Sequence, residues 1–303
     1  MAEIRRDPAQ AGARRPRLRG RRAARRAAAA LHHRFARGTV VETEYPVTMG
    51  ARYGWDDRPP HPLIDAGFAA DRARWQARLE ALEAHLPALR AIDRTPEGGE
   101  PGWENDFFSG LDAVVLYGAI VDRRPRRYVE VGSGHSTTFA RRAIRDAGLD
   151  TRITSIDPAP RAEIDAICDE VIRAGLEEVG AGPFRDLEPG DVVLIDGSHT
   201  CFMGNDGAVQ FLEVLPAIPP GVLVGIDDIF LPWDYPPTWV GRAYAEQYLL
   251  ATLLLAPDPG WTVELPGFWV ANDEELAPVV ERFRDPVATA RFGLGAVTFW
   301  MQR

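Results

Sequence analysis

Two groups of residues in this 303-residue chain carry types and spacings that could do chemistry. The first lies in Arg-Tyr-Val-Glu-Val-Gly-Ser-Gly-His-Ser at 127–136, where an apolar strand ends in an acid and breaks into a turn at Gly132 and Gly134. Glycine at both places lets the backbone turn sharply and lets a ligand approach it closely. Glu130 would repel a pyrophosphate and suits a ligand that carries a cation. A dinucleotide fingerprint also wants a third glycine where Thr137 stands. A nucleoside with a positively charged tail fits better. Downstream, Arg152-Ile-Thr-Ser-Ile-Asp157 reads as a second strand ending in an acid, which could grip a ribose diol by two hydrogen bonds.

The second group follows two later strands. Asp191-Val-Val-Leu-Ile-Asp196-Gly-Ser-His199 delivers Asp196 and, three residues on, His199, while Gly221-Val-Leu-Val-Gly-Ile226 delivers Asp227 and Asp228. Ligands of parallel α/β sheets gather at the carboxyl edge of the strands. Three carboxylates converging there repel one another unless something positive sits between them. Hard oxygen donors of this kind call for Mg²⁺ or Mn²⁺, with waters and substrate oxygens completing the shell. His199 beside them is a candidate general base, because an imidazole near neutral pH can take a hydroxyl proton.

Strand, glycine turn, helix, strand, acid is the order in which Glu130, Gly132, Gly134 and Asp157 occur, and it resembles the cofactor half of class I S-adenosylmethionine-dependent methyltransferases. The resemblance implies that Glu130 and the turn hold the methionine part of the cofactor and Asp157 its ribose. Ser133, Ser136 and Asp196 complete the expected cofactor contacts. Asp196, Asp227, Asp228 and His199 are similar in place to the metal-dependent O-methyltransferases of the macrolide-sugar and catechol types. That resemblance implies a Mg²⁺ (or Mn²⁺) site on Asp196, Asp227 and Asp228, a base at His199, and a small-molecule or sugar hydroxyl as methyl acceptor. Two departures stand out. The sugar enzymes tend to have glutamate at the position of Asp227, and the catechol enzymes use a lysine base.

This chain has no lysine at all, which excludes a lysine base, a Schiff-base lysine and a P-loop lysine. Its absence also points to G+C-rich coding, as in many bacteria. Residues 1–37 hold 12 arginines against Glu3 and Asp7, whereas the whole chain is at -9. The basic leader reads as a solvated, disordered tail, and the acidic remainder disfavours nucleic acid as the partner. No apolar stretch is long enough to span a membrane, and a cytoplasmic location is expected. Cys168, in an expected helix, and Cys201, in an expected loop, do not make a disulfide framework. Two other functional classes remain: a binding or scaffold protein that keeps the fold without turnover, and a Rossmann oxidoreductase, against which Glu130 and the missing third glycine speak.

These residues need a scaffold that places them on one edge. Strands are expected at 127–131, 152–156, 170–174, 191–195, 221–226, 261–271 and 295–302. They alternate with helical segments through 195 and beyond, so the fold expected is a doubly wound, mostly parallel seven-stranded α/β sheet, Rossmann-like, ending in a pair of strands of which one is antiparallel. Trp75, Leu79, Leu82, Leu86 and Leu89 predict one amphipathic helix over 71–92, preceded by irregular structure at 40–62. Other helices are expected at 111–121, 137–147 and 246–255. The domains expected are the tail 1–37, a helical or irregular extension 38–104, and the catalytic domain 105–303. The family resemblance also implies dimers or larger rings. The proline- and aromatic-rich segment 230–239 either covers the acceptor with Trp233 and Tyr235 or anchors its own loop.

Overall fold

The computed structural model describes residues 44–95, 98–160, 163–284 and 295–303, so the arginine-rich tail lies outside the described residues. Residues 50–303 form one compact unit, and the extension expected at 38–104 belongs to that unit from Gly50 onward. Its strands are β1 (Arg127–Val131), β2 (Arg152–Ile156), β3 (Glu170–Ile172), β4 (Val192–Ile195), β5 (Leu223–Ile226), β6 (Thr262–Pro266) and β7 (Phe299–Gln302). They form one sheet in the order β3-β2-β1-β4-β5-β7-β6. The first five run parallel, and β7 is antiparallel to both β5 and β6. The doubly wound, mostly parallel seven-stranded sheet expected from the sequence is therefore the one observed.

Every residue of β4 and β5 is buried, as continuous Val, Leu and Ile runs require when helices cover both faces of a sheet. The helices used below are α1 (Pro62–Ala70), α2 (Arg72–Leu82), α3 (Gly110–Arg123), α4 (His135–Asp146), α5 (Glu246–Leu254) and α6 (Gly267–Asn272). Helix α3 is buried along almost its whole length and packs against α4, while α2 rests on α3 and β6. Asp112 is an acid inside this buried helix. Its carboxylate accepts the N–H groups of Val297 and Thr298, 2.9–3.1 Å away, and so ties α3 to the residues leading into β7.

Three local expectations are corrected. The helix expected over 71–92 ends at Leu82 and resumes as a 3₁₀ turn, Glu83–His85, and a short helix, Leu86–Leu89. Pro87 has no N–H to continue the ladder, although Trp75, Leu79, Leu82 and Leu89 are all buried as the periodicity requires. The strand expected at 261–271 stops at Pro266, and Phe268–Val270 are helical in α6. Pro266 cannot extend a ladder as a donor, and Gly267 sits so close to Thr298 that a Cβ there would lie 2.4 Å from its carbonyl oxygen. Cys168 caps a 3₁₀ turn rather than lying in a helix.

Candidate active site

The carboxyl ends of β1, β2 and β4 open onto a cavity of about 350 Å³. The turn from Gly132 to Ser136, Asp157, Asp196 and Ser198 line it, with Phe107 and Phe108 at one side. The turn is held by its neighbours. Ser133 N–H donates to Asp157 Oδ2 at 2.9 Å, Ala159 N–H donates to Asp157 Oδ1 at 2.7 Å, and the Ser155 hydroxyl donates to Ser133 Oγ at 2.7 Å. Asp157 thus faces the cavity in a fixed orientation, with lone pairs left to accept further donors. His135, the first residue of α4, stacks on Phe107 at 5.8 Å with only 9° between the rings.

The two glycines have different jobs. Gly132 has φ +78, and a Cβ there would stand 1.7 Å from the Asp196 carbonyl oxygen, so its need is internal: β1 and β4 close on each other at that point. Gly134 meets no protein atom within 4 Å of its would-be Cβ. The space a side chain would take at 134 is cavity space.

Glu130 is fully buried and does not line the cavity. Its Oε2 accepts from Thr137 Oγ1 at 2.5 Å, and the same Thr137 oxygen accepts Gly134 N–H at 3.0 Å. Burial pushes the carboxyl up to about 7, opposed by hydrogen bonds from Ser136 and Thr137. The acid therefore braces the glycine turn and the start of α4 from beneath.

Beside the cavity, Asp196 leads to a second, buried set of groups. Its Oδ1 lies 3.0 Å from His199 Nε2, and Asp228 Oδ2 lies 3.4 Å from the same nitrogen. Across the ring, His199 Nδ1 meets Glu246 Oε1 at 2.5 Å. Glu246 opens α5, and the same turn caps His199, since Ala245 N–H donates to the His199 carbonyl at 2.7 Å. Both ring nitrogens face carboxylates, which suits an imidazolium donating from each. Burial alone would lower the His199 pKa, but the charges of Glu246 and Asp196 outweigh it and raise it well above the usual histidine range. His199 and Asp228 are both in the left-handed region, with φ +57 and φ +54, a strained conformation for side-chain-bearing residues that concentrates at functional sites.

Asp227 turns elsewhere. It is buried, and its Oδ1 accepts from Thr298 Oγ1 at 2.6 Å, next to the Asp112 clamp. Burial, then the charges of Asp196 and Asp228, raises its pKa well above the carboxylate range; Asp228 is pushed up to about 6, chiefly by burial, with His199 pulling the other way. Among the described residues no three or more His, Cys, Asp or Glu side chains are grouped so as to hold a metal ion. Asp196 and Asp228 both approach the same nitrogen, His199 Nε2.

Residues 129–229, the span from the first strand through the aspartate pair, match the family model described as a methyltransferase domain. That stretch, about a third of the chain, is similar to methyltransferase domains. Solved structures similar to the chain include the SAH-bound methyltransferase PaMTH1 of Podospora anserina, at 18% identity over 71% of this chain and 93% of that one, TM-score 0.35. An O-methyltransferase of Bacillus cereus in complex with SAH is 18% identical over 73% of this chain and 87% of that one, TM-score 0.34. The plantazolicin methyltransferase BpumL, also with SAH, is 13% identical over 62% and 84%, TM-score 0.35. No curated protein matches the sequence. Among the described residues no helix of the chain is long and apolar enough to cross a membrane.

Of the residues expected to hold a cofactor, Gly132, Ser133, Gly134, Ser136, Asp157 and Asp196 share the cavity. Glu130 is not among the residues lining the cavity; its Oε2 accepts from Thr137 beneath the turn. Trp233 and Tyr235 anchor their loop. Trp233 packs edge-on against Trp55 at 5.1 Å and Phe268 at 5.2 Å, and Asp234 between them accepts the N–H groups of Arg52 and Tyr53 at 2.5 and 2.8 Å. Sequence reasoning missed Glu246, Asp112 and Thr298. A single acid heading the apolar run Gln247-Tyr-Leu-Leu-Ala was the available signal for Glu246; Asp112 lies 185 residues from its partner Val297 and gave none.

Proposed function

We propose that this methyltransferase moves the methyl group of S-adenosylmethionine onto the oxygen of a small-molecule hydroxyl, with His199 as general base. The observation that carries this reading is Asp196, which lines the cofactor cavity and also touches His199 Nε2 at 3.0 Å. A hydroxyl placed at that junction would have the methyl donor on one side and the imidazole on the other. Its oxygen attacks the sulfonium methyl carbon, the carbon–sulfur bond breaks with its electron pair staying on sulfur, and the hydroxyl proton passes to Nε2.

Glu246 gives the base its direction. By holding Nδ1–H it leaves Nε2 as the nitrogen that faces the acceptor, the role of the acid in a catalytic triad. Because the resting imidazole is protonated, Nε2 must first lose its proton, and the rate should rise with pH as it does so. Asp157 would accept from the ribose hydroxyls, and the open space at Gly134 would admit the methionine portion of the cofactor.

Asp196, Asp227 and Asp228 are acids of the type that hold a divalent cation, but as placed they are not grouped so as to form a metal site. No step of the transfer is therefore routed through a metal, and the acid charge is met instead by the His199 imidazolium. Asp227 is the member whose oxygen is already engaged, by Thr298.

The test is turnover with ¹³C-methyl-labelled S-adenosylmethionine over catechol and sugar diols, read by NMR of the product. A methyl carbon bonded to oxygen, formed by the wild type and not by His199→Gln, is the expected result. A methyl on nitrogen, sulfur or carbon, or undiminished transfer by His199→Gln, would contradict the reading.

A further inference from the structure

Tyr244, whose ring contacts His199, also lies against an arginine that is held in a way that leaves most of its donors free. The Tyr244 ring lies 4.6 Å from the His199 ring, and the Trp239 ring stands edge-on to Tyr244 at 5.7 Å. The Arg242 guanidinium sits over Trp239 at 3.8 Å and lies 5.5 Å from the Tyr244 ring centroid. Its one hydrogen bond among the described residues is Nη1 to the Tyr244 hydroxyl, at 3.4 Å. Among the described residues no carboxylate lies within ion-pair distance of it, although its charge reaches Asp228 and favours the ionised form of that acid. Arg242 is exposed. Stacking fixes the plane of a guanidinium, not its edge, and the N–H groups along that edge match the two oxygens of a carboxylate.

We propose that Arg242, stacked on Trp239 and braced by Tyr244, is a binding site for a carboxylate on the methyl acceptor. The proposal rests on the O-methyl-transfer reading and narrows its substrate class to hydroxy-carboxylates. The site is polarised in the way such a molecule requires. Asp196, Asp228 and Glu246 crowd the His199 end and repel an anion, so the carboxylate goes to Arg242 and the hydroxyl is the end presented to Nε2. Tyr244 contacts both, its ring 4.6 Å from the His199 ring and its centroid 5.5 Å from the Arg242 guanidinium.

The probes are 3,4-dihydroxybenzoate and catechol, which share the vicinal hydroxyls and differ in the carboxylate. Each is titrated calorimetrically into the full chain saturated with SAH, and each is then offered with S-adenosylmethionine. The benzoate should bind about tenfold or more tightly than catechol, as a charge-assisted bidentate contact implies. Arg242→Gln should erase that difference while SAH affinity stays unchanged, and Arg242→Lys should restore it only in part. Equal binding of the two probes, a preference that survives in Arg242→Gln, or binding of neither at millimolar concentration overturns the proposal. If the preference holds and depends on Arg242 yet neither diol is methylated, the transfer reading has failed and the anion site stands.

Discussion

Asp196 and His199, three residues apart, meet through Oδ1 and Nε2 at 3.0 Å, and only the first of them lines the cavity at the glycine turn. One carboxylate is therefore shared between the place where a methyl donor fits and the place where a proton can be received. Replacing His199 with Gln should slow transfer by about 10²–10⁴-fold, the usual worth of a positioned general base. SAH affinity should change little, because His199 is outside the cavity. Single-turnover rates alongside calorimetry separate the two effects.

Glu246→Gln keeps the shape and removes the charge that orients and charges the imidazole. The expected loss is smaller than for His199→Gln, and the pH at which the rate rises should fall, since the charge of Glu246 is the largest influence raising the His199 pKa. A pH–rate profile of both proteins checks this; an unmoved profile would assign Glu246 to packing alone.

The two glycines of the turn should fail differently. Gly132→Ala places a Cβ against the Asp196 carbonyl in a left-handed conformation and should destabilise the fold by more than about 2 kcal/mol. Gly134→Ala meets no protein atom within 4 Å. It should melt close to the wild type and yet bind SAH at least about tenfold more weakly, a steric loss confined to the ligand. Thermal unfolding and SAH titration of the two variants make the comparison.

Glu130 gives a pH dependence of known sign. Burial lifts its carboxyl from an ordinary 4.5 to about 7 in the fold, so the folded state binds the proton more tightly than the unfolded chain does. Below pH 4.5 both states are protonated and nothing is lost; between 4.5 and 7 the folded state is increasingly penalised, and above 7 the penalty is constant. Glu130→Gln, which keeps an acceptor for Thr137, should gain stability over the wild type as pH rises through that window. The gain should level off on the order of 3 kcal/mol. Denaturant melts of both proteins at pH 5 and pH 8 suffice, and a difference that does not grow with pH would show that the carboxyl is not buried as described.

Much of this site is legible in the sequence because it is local. Each strand of the parallel sheet ends at the same edge, so Glu130, Asp157, Asp196 and Asp227 could be placed there from strand endings alone. What sequence could not supply was direction. Glu130 and Asp157 look alike in the pattern, yet the first points under the turn to Thr137 and the second into the cavity. Asp227 and Asp228 are neighbours, yet the left-handed φ at Asp228 sends one toward His199 and leaves the other on Thr298. Glu246, 47 residues from His199, reaches it only because the loop after β5 folds back on the sheet edge. Periodicity likewise found the buried face of α2 and missed its break, which Pro87 imposes through a missing N–H rather than through hydrophobicity.

The divalent cation can be separated from the base. If Asp196, Asp227 and Asp228 hold one, chelation and Asp228→Asn should each lower turnover while SAH binding persists. Activity that survives chelation is the expected result and leaves His199 acting without a metal.

The central claim is that the cavity at 132–136, Asp157 and Asp196 holds the methyl donor. Calorimetric titration of the full chain with SAH and, separately, with NADH addresses it. The expected result is saturable binding of SAH, one per chain, no binding of NADH, and loss of SAH binding in Asp157→Ala. Absence of SAH binding by the wild type, or binding of NADH in its place, would contradict it.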